Sequence, residues 1–146
     1  MRLNATRITE ATPEMCRHIN RLLQDLTTRP ITMTPDRLAT LLACRESFLF
    51  MAYQDGSHDP VGMFTLAVTH LPSGNNVWLE DVVIDRQHQG QGCGRQLLGL
   101  AIEQARLVCP GGKMMLTSRP SRLAANHLYA ELFDRKETNV YSLQLT

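Results

Sequence analysis

Three glycines at alternate positions constrain the fold of this chain more than any other feature. They lie in the stretch HQGQGCGRQLL, residues 88–98, which runs directly into leucine-rich sequence with helical spacing. Glycine loses more backbone entropy on folding than any other residue, so three of them close together require a reason. Alternate glycines let backbone N–H groups converge, and a helix that begins there adds unpaired donors and a positive dipole end. The pattern predicts a phosphate-binding loop, with a simple structural turn as the alternative.

The hydrophobic pattern places this loop between a strand and a helix. Thr12-Pro13-Glu14 and Thr34-Pro35-Asp36 are each typical of a helix start, with a capping hydroxyl, a first-turn proline and an acid. Strand-like runs and turn residues then alternate along the chain. The predicted strands are 2–9, 47–53, 61–70, 77–85, 113–118 and 140–145, with turns at 55–56 and 72–76 and a last helix at 122–133 capped by Ser121. The order β-α-α-β-β-β-α-β-α-β predicts one α/β domain over 1–146, a mixed sheet with helices on both faces.

Composition excludes several classes of partner. A formal charge of +1 without a basic stripe argues against nucleic acid. The four cysteines form no C-x-x-C pair and the five histidines no ligand-spaced cluster, so neither a metal site nor a disulfide scaffold is expected. No window is apolar enough for a signal peptide or a membrane span. We therefore expect a cytoplasmic protein with no metal, nucleic-acid or membrane partner.

Two familiar phosphate motifs do not fit the glycine loop. The dinucleotide pattern G-x-G-x-x-G would need glycine at position 95 or 97, where the chain has Arg95 and Leu97. The only Gly-Lys pair, Gly112-Lys113, precedes a predicted strand rather than a helix. The pattern that does fit is Gln89-x-x-Gly92-x-Gly94.

This pattern resembles the acyl-CoA-binding signature of the GNAT family of N-acetyltransferases, Gln/Arg-x-x-Gly-x-Gly/Ala. The preceding strand, Glu80-Asp81-Val82-Val83-Ile84-Asp85, is similar to the central strand of the family. Residues 116–145 are similar to its C-terminal motif A-x-x-L-Y-x-x-x-G-F, although the glycine before Phe133 is missing here. That gap predicts a tighter turn after the last helix. The resemblance is specific from about residue 77 onward and rests on element order before it.

The resemblance implies an N-acetyltransferase that uses acetyl-CoA and no metal. The pyrophosphate would lie on the loop, and the pantetheine arm on the central strand and on Asn126. In the loop, Cys93 is either a nucleophile at a helix N-terminus or a small residue packed beneath it, as the family suggests. The donor-binding residues implied are Val82, Val83 and Ile84 in the strand, Gln89, Gly90, Gln91, Gly92, Cys93, Gly94 and Arg95 in the loop, and Asn126.

Three further residues are candidates for catalysis. Glu80 and Asp81 are adjacent acids in an apolar strand, which is costly unless one is solvated at a bulge or edge, or is paired. Alternatively one of them removes the proton from an ammonium substrate. Successive strand residues face opposite ways, so only one acid is expected to reach the amine, and Glu80 is preferred. Tyr129 shares a helix face with Asn126 and is either an ordinary packed tyrosine or, as the resemblance implies, the proton donor to the CoA thiolate.

The acceptor is less constrained by the sequence. A small-molecule amine is favoured because no long acidic or basic stretch suggests a groove for a peptide or nucleic acid. A protein-amine acetyltransferase and a non-catalytic acyl-CoA sensor are the alternatives. The histidines are expected on the surface, with His70 and His127 as the alternative candidates for lining the acceptor pocket. The oligomeric state is open between a monomer and a homodimer.

Overall fold

A computed structural model describes all residues, 1–146. The contacts group the chain into two compact units, Met1–Leu116 and Thr117–Thr146. The first unit contains strands β1 (Leu3–Arg7), β2 (Ser47–Gln54), β3 (Pro60–Leu71), β4 (Gly74–Ile84) and β5 (Lys113–Met115), and helices α1 (Pro13–Leu26), α2 (Pro35–Ala43) and α3 (Cys93–Val108). The second contains helix α4 (Leu123–Leu132). None of these helices is both long enough and apolar enough to cross a membrane.

Helices α1 and α2 begin where the sequence predicts. The hydroxyl of Thr12 accepts the backbone N–H of Met15 at 3.1 Å, and that of Thr34 accepts the N–H of Arg37 at 3.3 Å. A proline lies in the first turn of each helix. Both caps satisfy an N–H group that has no partner within its helix. The two predicted start signals are confirmed.

The sheet runs in the order β1-β2-β3-β4-β5. Its first four strands are antiparallel, and β5 lies parallel to β4. The parallel ladder pairs Asn76–Trp78 with Lys113–Met115 and stops there, whereas β4 continues to Ile84. The last part of β4 therefore has no strand partner on the β5 side.

Helices cover both faces of this sheet, as predicted. On one face Leu49, Met51, Met63 and Val83 pack into a buried cluster with residues of α1 and α2. Residues of opposite phase in the strands face α3, and there the rings of Phe50 and Phe64 stack with centroids 4.8 Å apart. The mixed α/β architecture is confirmed, with β4 packed between helical layers near the glycine loop.

Several predicted boundaries are wrong. The predicted turn over 72–76 is narrower, because Asn75 and Asn76 pair with β3 and leave a two-residue turn at Pro72-Ser73. Strand β5 ends at Met115 instead of 118, since its ladder with β4 ends there. Ser121 does not cap α4: Arg122 occupies the cap position, and no side chain bonds to the helix end.

The predicted closing strand at 140–145 is also wrong, because residues 133–146 contain no regular secondary structure. The side chains of Val140, Tyr141, Leu143 and Leu145 are all more than 70% exposed. Alternation of apolar and polar residues predicts which side chains would share a face of a strand. A strand also needs a neighbouring strand as partner for its backbone hydrogen bonds. The tighter turn expected after the last helix takes the form of an extended Phe133 directly following Leu132.

Replacement of Gly62 by alanine is expected to destabilise the first unit by about 1–3 kcal/mol, through overpacking between β3 and β4. A Cβ at this position would lie 2.7 Å from the carbonyl oxygen of Val83 and 2.9 Å from Cδ1 of Ile84. Urea unfolding measures the effect. The matched control is Gly99→Ala on α3, where an added Cβ meets nothing within 4 Å. An equal stability for the two variants would contradict the prediction.

Candidate active site

Strand β4 contains a bulge at the two predicted acids. Glu80 pairs with Thr65 and Val83 with Met63, so Asp81 and Val82 together oppose a single residue of β3. Asp81 is the only non-glycine residue with a positive φ, 50°, in a region that aspartate tolerates better than most residues. The interpretation that one acid lies at a bulge is confirmed. Successive residues of β4 do not simply alternate between the two faces of the sheet here, because the extra residue puts Glu80 and Val83 on the same face.

The carboxyl group of Glu80 has a raised pKa, although the residue is exposed. Partial burial raises its pKa, and the neighbouring negative charge of Asp81 raises it further. Both effects disfavour the ionised form, so the ionised carboxylate binds a proton more strongly than an ordinary glutamate does. This is the property that a general base requires.

Beyond the bulge, the backbone groups of β4 are directed alternately toward β3 and toward the opposite edge of the strand. The N–H of Asp85 donates to the carbonyl of Val61 at 2.8 Å, which marks these two residues as a hydrogen-bonded pair. Such pairs alternate in an antiparallel ladder, so the backbone groups of Val83 are directed to β3. Those of Ile84, between these two pairs, are therefore directed to the edge that β5 leaves open. Of the three predicted donor-binding residues of the strand, Ile84 presents backbone groups there, Val83 is directed to β3, and Val82 belongs to the bulge.

The glycine loop follows β4 through a 3₁₀ turn, Arg86–His88. Gly90 and Gly92 have φ of 77° and 80°, values that most L-residues adopt only with strain. A Cβ at either position would meet nothing within 4 Å, so backbone conformation, not packing, requires glycine. Gly92 is also the cap residue of α3 and provides no side-chain acceptor. The start of α3 therefore has no side-chain cap, and N–H groups at a helix start are suited to bind an anionic ligand.

The side chains of the loop take different places. The Gln89 amide donates to the carbonyl of Ile84 at 3.0 Å, and that of Gln91 to the carbonyl of Gln87 at 3.0 Å, so both glutamines brace the backbone. Cys93 is only 1% exposed, which favours its packing role over the nucleophile. Gly94 and Arg95 lie exposed on the first turn of α3.

A buried acid at the end of β4 was missed by the sequence reasoning. Asp85 is 5% exposed and contacts two basic side chains. Its Oδ2 accepts from Nη1 of Arg21 at 3.2 Å, and its Oδ1 lies 2.5 Å from Nδ1 of His88. No sequence signal could have found the first contact, because its two residues are 64 positions apart on separate elements.

The second unit carries the predicted residues Asn126 and Tyr129. The Asn126 amide donates to the carbonyl of Arg119 at 2.9 Å, and the Tyr129 ring meets that of Phe133 edge-on, with centroids 6.4 Å apart. Both residues are half-buried and belong to α4. Their assigned roles in donor binding and proton transfer stay predictions.

The two candidate histidines lie in exposed surface contacts. The ring nitrogens of His70 lie 3.1 Å from Asn75 Oδ1 and 3.1 Å from Glu46 Oε2. These hydrogen bonds, that to Asn75 first, raise the pKa of His70. His127 lies 3.6 Å from a carboxylate oxygen of Glu131, one turn along α4. No group of three or more His, Cys, Asp or Glu side chains is placed to hold a metal ion.

The mixed sheet, the bulged central strand with one open edge, and the glycine loop that opens a helix define a class of α/β protein. In this class the loop is suited to receive a phosphate beside the strand. A family model described as "Acetyltransferase (GNAT) family" matches residues 16–133. The chain therefore belongs to the GNAT acetyltransferase family, which confirms the resemblance.

Solved structures show the same fold at low sequence identity. A provisionally named acetyltransferase from Agrobacterium tumefaciens str. C58 has a TM-score of 0.78 at 24% identity, over 99% of this chain and 100% of that one. An aminoglycoside acetyltransferase from an uncultured soil metagenomic sample has a TM-score of 0.75 at 19% identity, over 99% of this chain and 95% of that one. A ribosomal-protein-alanine N-acetyltransferase from Brucella melitensis biovar Abortus 2308 has a TM-score of 0.76 at 14% identity, over 99% of this chain and 100% of that one. No curated protein sequence matches the chain.

Proposed function

We propose that this acetyltransferase transfers the acetyl group of acetyl-CoA to a primary amine of a small molecule. The observation that carries the proposal is the adjacency of the open edge of β4 to the glycine loop and the uncapped start of α3. One surface thus offers amide-binding backbone groups next to phosphate-binding ones. Acetyl-CoA contains both kinds of partner, a pantetheine arm with amides and a pyrophosphate.

The residues present fit this donor. The N–H groups of residues 90–95 would bind the pyrophosphate, because glycine at 90 and 92 lets the backbone adopt a conformation that brings them together. The N–H of Ile84 would pair with a pantetheine amide, and the family resemblance extends this role to the backbone of Val82. When bound, acetyl-CoA supplies an acetyl group that its thioester activates toward amines. Cys93 packs beneath the loop and takes no covalent part.

Glu80 is the proposed general base. A primary amine arrives as an ammonium ion with a pKa near 10, and it cannot attack until a proton leaves its nitrogen. The Glu80 carboxylate takes that proton, directly or through a water molecule, and its raised pKa makes it better suited to do so. Asp81 contributes negative charge, which attracts the ammonium ion and sustains the raised pKa of Glu80.

A small acceptor is preferred because the acidic charge at the bulge is compact. Two adjacent carboxylates attract a single ammonium group, and the formal charge of +1 gives the chain no extended field of either sign. An acceptor amine on a protein N-terminus is the second candidate. The fold does not choose between them, since a structural neighbour of each kind has a similar TM-score. We place the enzyme in the cytoplasm, which its four free cysteines support.

A screen over amines tests the proposal. The panel contains a polyamine, an aminoglycoside, an amino-sugar phosphate and a peptide with a free N-terminus, each with acetyl-CoA, and mass spectrometry detects the acetylated product. Thiol reagents are less suitable, because Cys44 is exposed and a hydrogen bond from Ser47 lowers its thiol pKa. Acetylation of a small amine supports the proposal. Acetylation of the peptide alone supports the protein acceptor, and binding of acetyl-CoA with no product supports a non-catalytic sensor.

Replacement of Tyr129 by phenylalanine is expected to lower kcat by roughly 10- to 100-fold if its hydroxyl protonates the departing thiolate. The change keeps the ring that packs against Phe133. Steady-state kinetics with the best amine of the panel measures the effect. Tyr141→Phe is the control, because Tyr141 is 87% exposed. Full activity in Tyr129→Phe would assign this tyrosine to packing.

A further inference from the structure

The chain between β4 and the glycine loop is attached to helix α1 by charged side chains. Arg21 bonds to Asp85 and, through Nη2, to the carbonyl of Pro60 at 2.5 Å, where β3 begins. One turn later on α1, Asp25 Oδ2 accepts the backbone N–H of Arg86 at 2.9 Å. Helix α1 thus contacts the start of one strand and the chain that leaves the end of its neighbour.

Asp85 is the only charged side chain that is buried. Burial of a carboxylate is costly unless charges and hydrogen bonds compensate. Arg21 compensates one oxygen, while His88 contacts the other through both its ring Nδ1 and its backbone N–H, the latter at 3.0 Å. Both oxygens are therefore fixed, and so is the direction of the chain between Asp85 and His88.

The glycine loop is braced by the amides of Gln89 and Gln91, which bond to backbone carbonyls of residues 84 and 87, but its glycines lack packing contacts. Side chains added at Gly90 or Gly92 would meet nothing within 4 Å, so no packing surrounds these positions. After the loop, the buried Cys93 fixes the chain to the core. Before the loop, the corresponding anchor is Asp85.

We propose that Asp85 and Arg21 are positioning residues for the donor: they fix the chain ahead of the glycine loop so that its N–H groups converge on the pyrophosphate. This inference rests on the proposed use of acetyl-CoA. Neither side chain needs to touch the donor or the reacting atoms. Their effect passes through the backbone of residues 86–89.

The experiment compares Asp85→Asn and Arg21→Met with the wild-type protein. Each change removes a charge-assisted hydrogen bond, so the KM for acetyl-CoA is expected to rise about tenfold while kcat stays within about twofold. Arg17→Met is the matched control, because Arg17 is an exposed arginine one turn earlier on α1. We expect its KM to equal that of the wild type. The use of two variants keeps the test decisive if Asp85→Asn folds poorly.

Hydrogen exchange supplies a readout that does not depend on activity. Backbone amides of residues 86–92 are expected to exchange faster in both variants, while those of β2 and β3 keep their protection. An unchanged KM together with unchanged exchange in this segment overturns the proposal. So does an equal loss of protection throughout the first unit, which would show a merely structural role. If the wild-type protein binds no acetyl-CoA by calorimetry, the proposed function fails, and exchange in 86–92 still decides whether Asp85 orders the loop.

Discussion

Replacement of Glu80 by glutamine is expected to lower kcat by roughly 100- to 1,000-fold at neutral pH, the range typical of a lost general base. Glutamine keeps the size and the exposed position of the side chain, so the fold and the KM for acetyl-CoA should change little. The defect should shrink as the pH approaches about 10, because the amine then loses its proton to solvent. Initial rates at saturating acetyl-CoA from pH 6 to 10 measure both effects. A defect that is independent of pH would contradict proton removal by Glu80.

The neighbouring acid provides the matched comparison. Asparagine at position 81 retains the shape of Asp81 and tolerates a φ of 50°, but it removes the negative charge. That charge is the second cause, after burial, of the raised pKa of Glu80. Since the base works when it is deprotonated, the acid limb of the kcat/KM profile should move to lower pH in Asp81→Asn. The plateau above it should be lower than that of the wild type, because the charge that attracts the ammonium substrate is lost.

Replacement of Gly92 by valine is expected to weaken acetyl-CoA binding by about 100-fold or more, the scale of effect that a displacement of about 1 Å can have. A β-branched residue at a φ of 80° is strained, and relief of that strain moves the N–H groups at the start of α3. The cost to stability should be about 1–3 kcal/mol. Calorimetric titration with acetyl-CoA and a thermal melt separate the two effects.

Gly99→Ala controls for the loss of a glycine near the loop. Gly99 lies exposed within α3, and an alanine there is expected to stabilise the helix by about 0.5–1 kcal/mol. Its affinity for acetyl-CoA should equal that of the wild type. Retained affinity in Gly92→Val would show that the loop does not bind the donor through its backbone.

The parts of the fold that the sequence predicts are those decided by local chemistry. The caps at Thr12 and Thr34 depend on residues one to three positions away, and the structure has both. The strand predicted at 140–145 depends on a partner that alternation cannot supply, and it does not form. The end of β5 at Met115 likewise follows from its ladder with β4 and not from its own residues.

The same distinction applies to the site. The glycine loop is visible in the sequence because its spacing is local, and the structure shows two of its glycines at positive φ. The bulge could be foreseen only as one of several ways to accommodate two acids in an apolar strand. The contact of Asp85 with Arg21 joins residues 64 positions apart and follows only from the packing of α1 against the sheet.

In the bulge, the residue proposed to carry the chemistry, Glu80, lies next to the residue that bends the strand, Asp81. Removal of residue 81 from the chain would leave Glu80 opposite Thr65 and Val83 opposite Met63, with one residue between them on each strand. The carboxylate of Glu80, the proposed base, would keep its face and its partner, while the local bend of β4 would be lost. The activity of a chain without residue 81 would therefore show whether the enzyme needs the bend of β4. No side-chain replacement at Asp81 can show this, because each one leaves the extra residue in the strand.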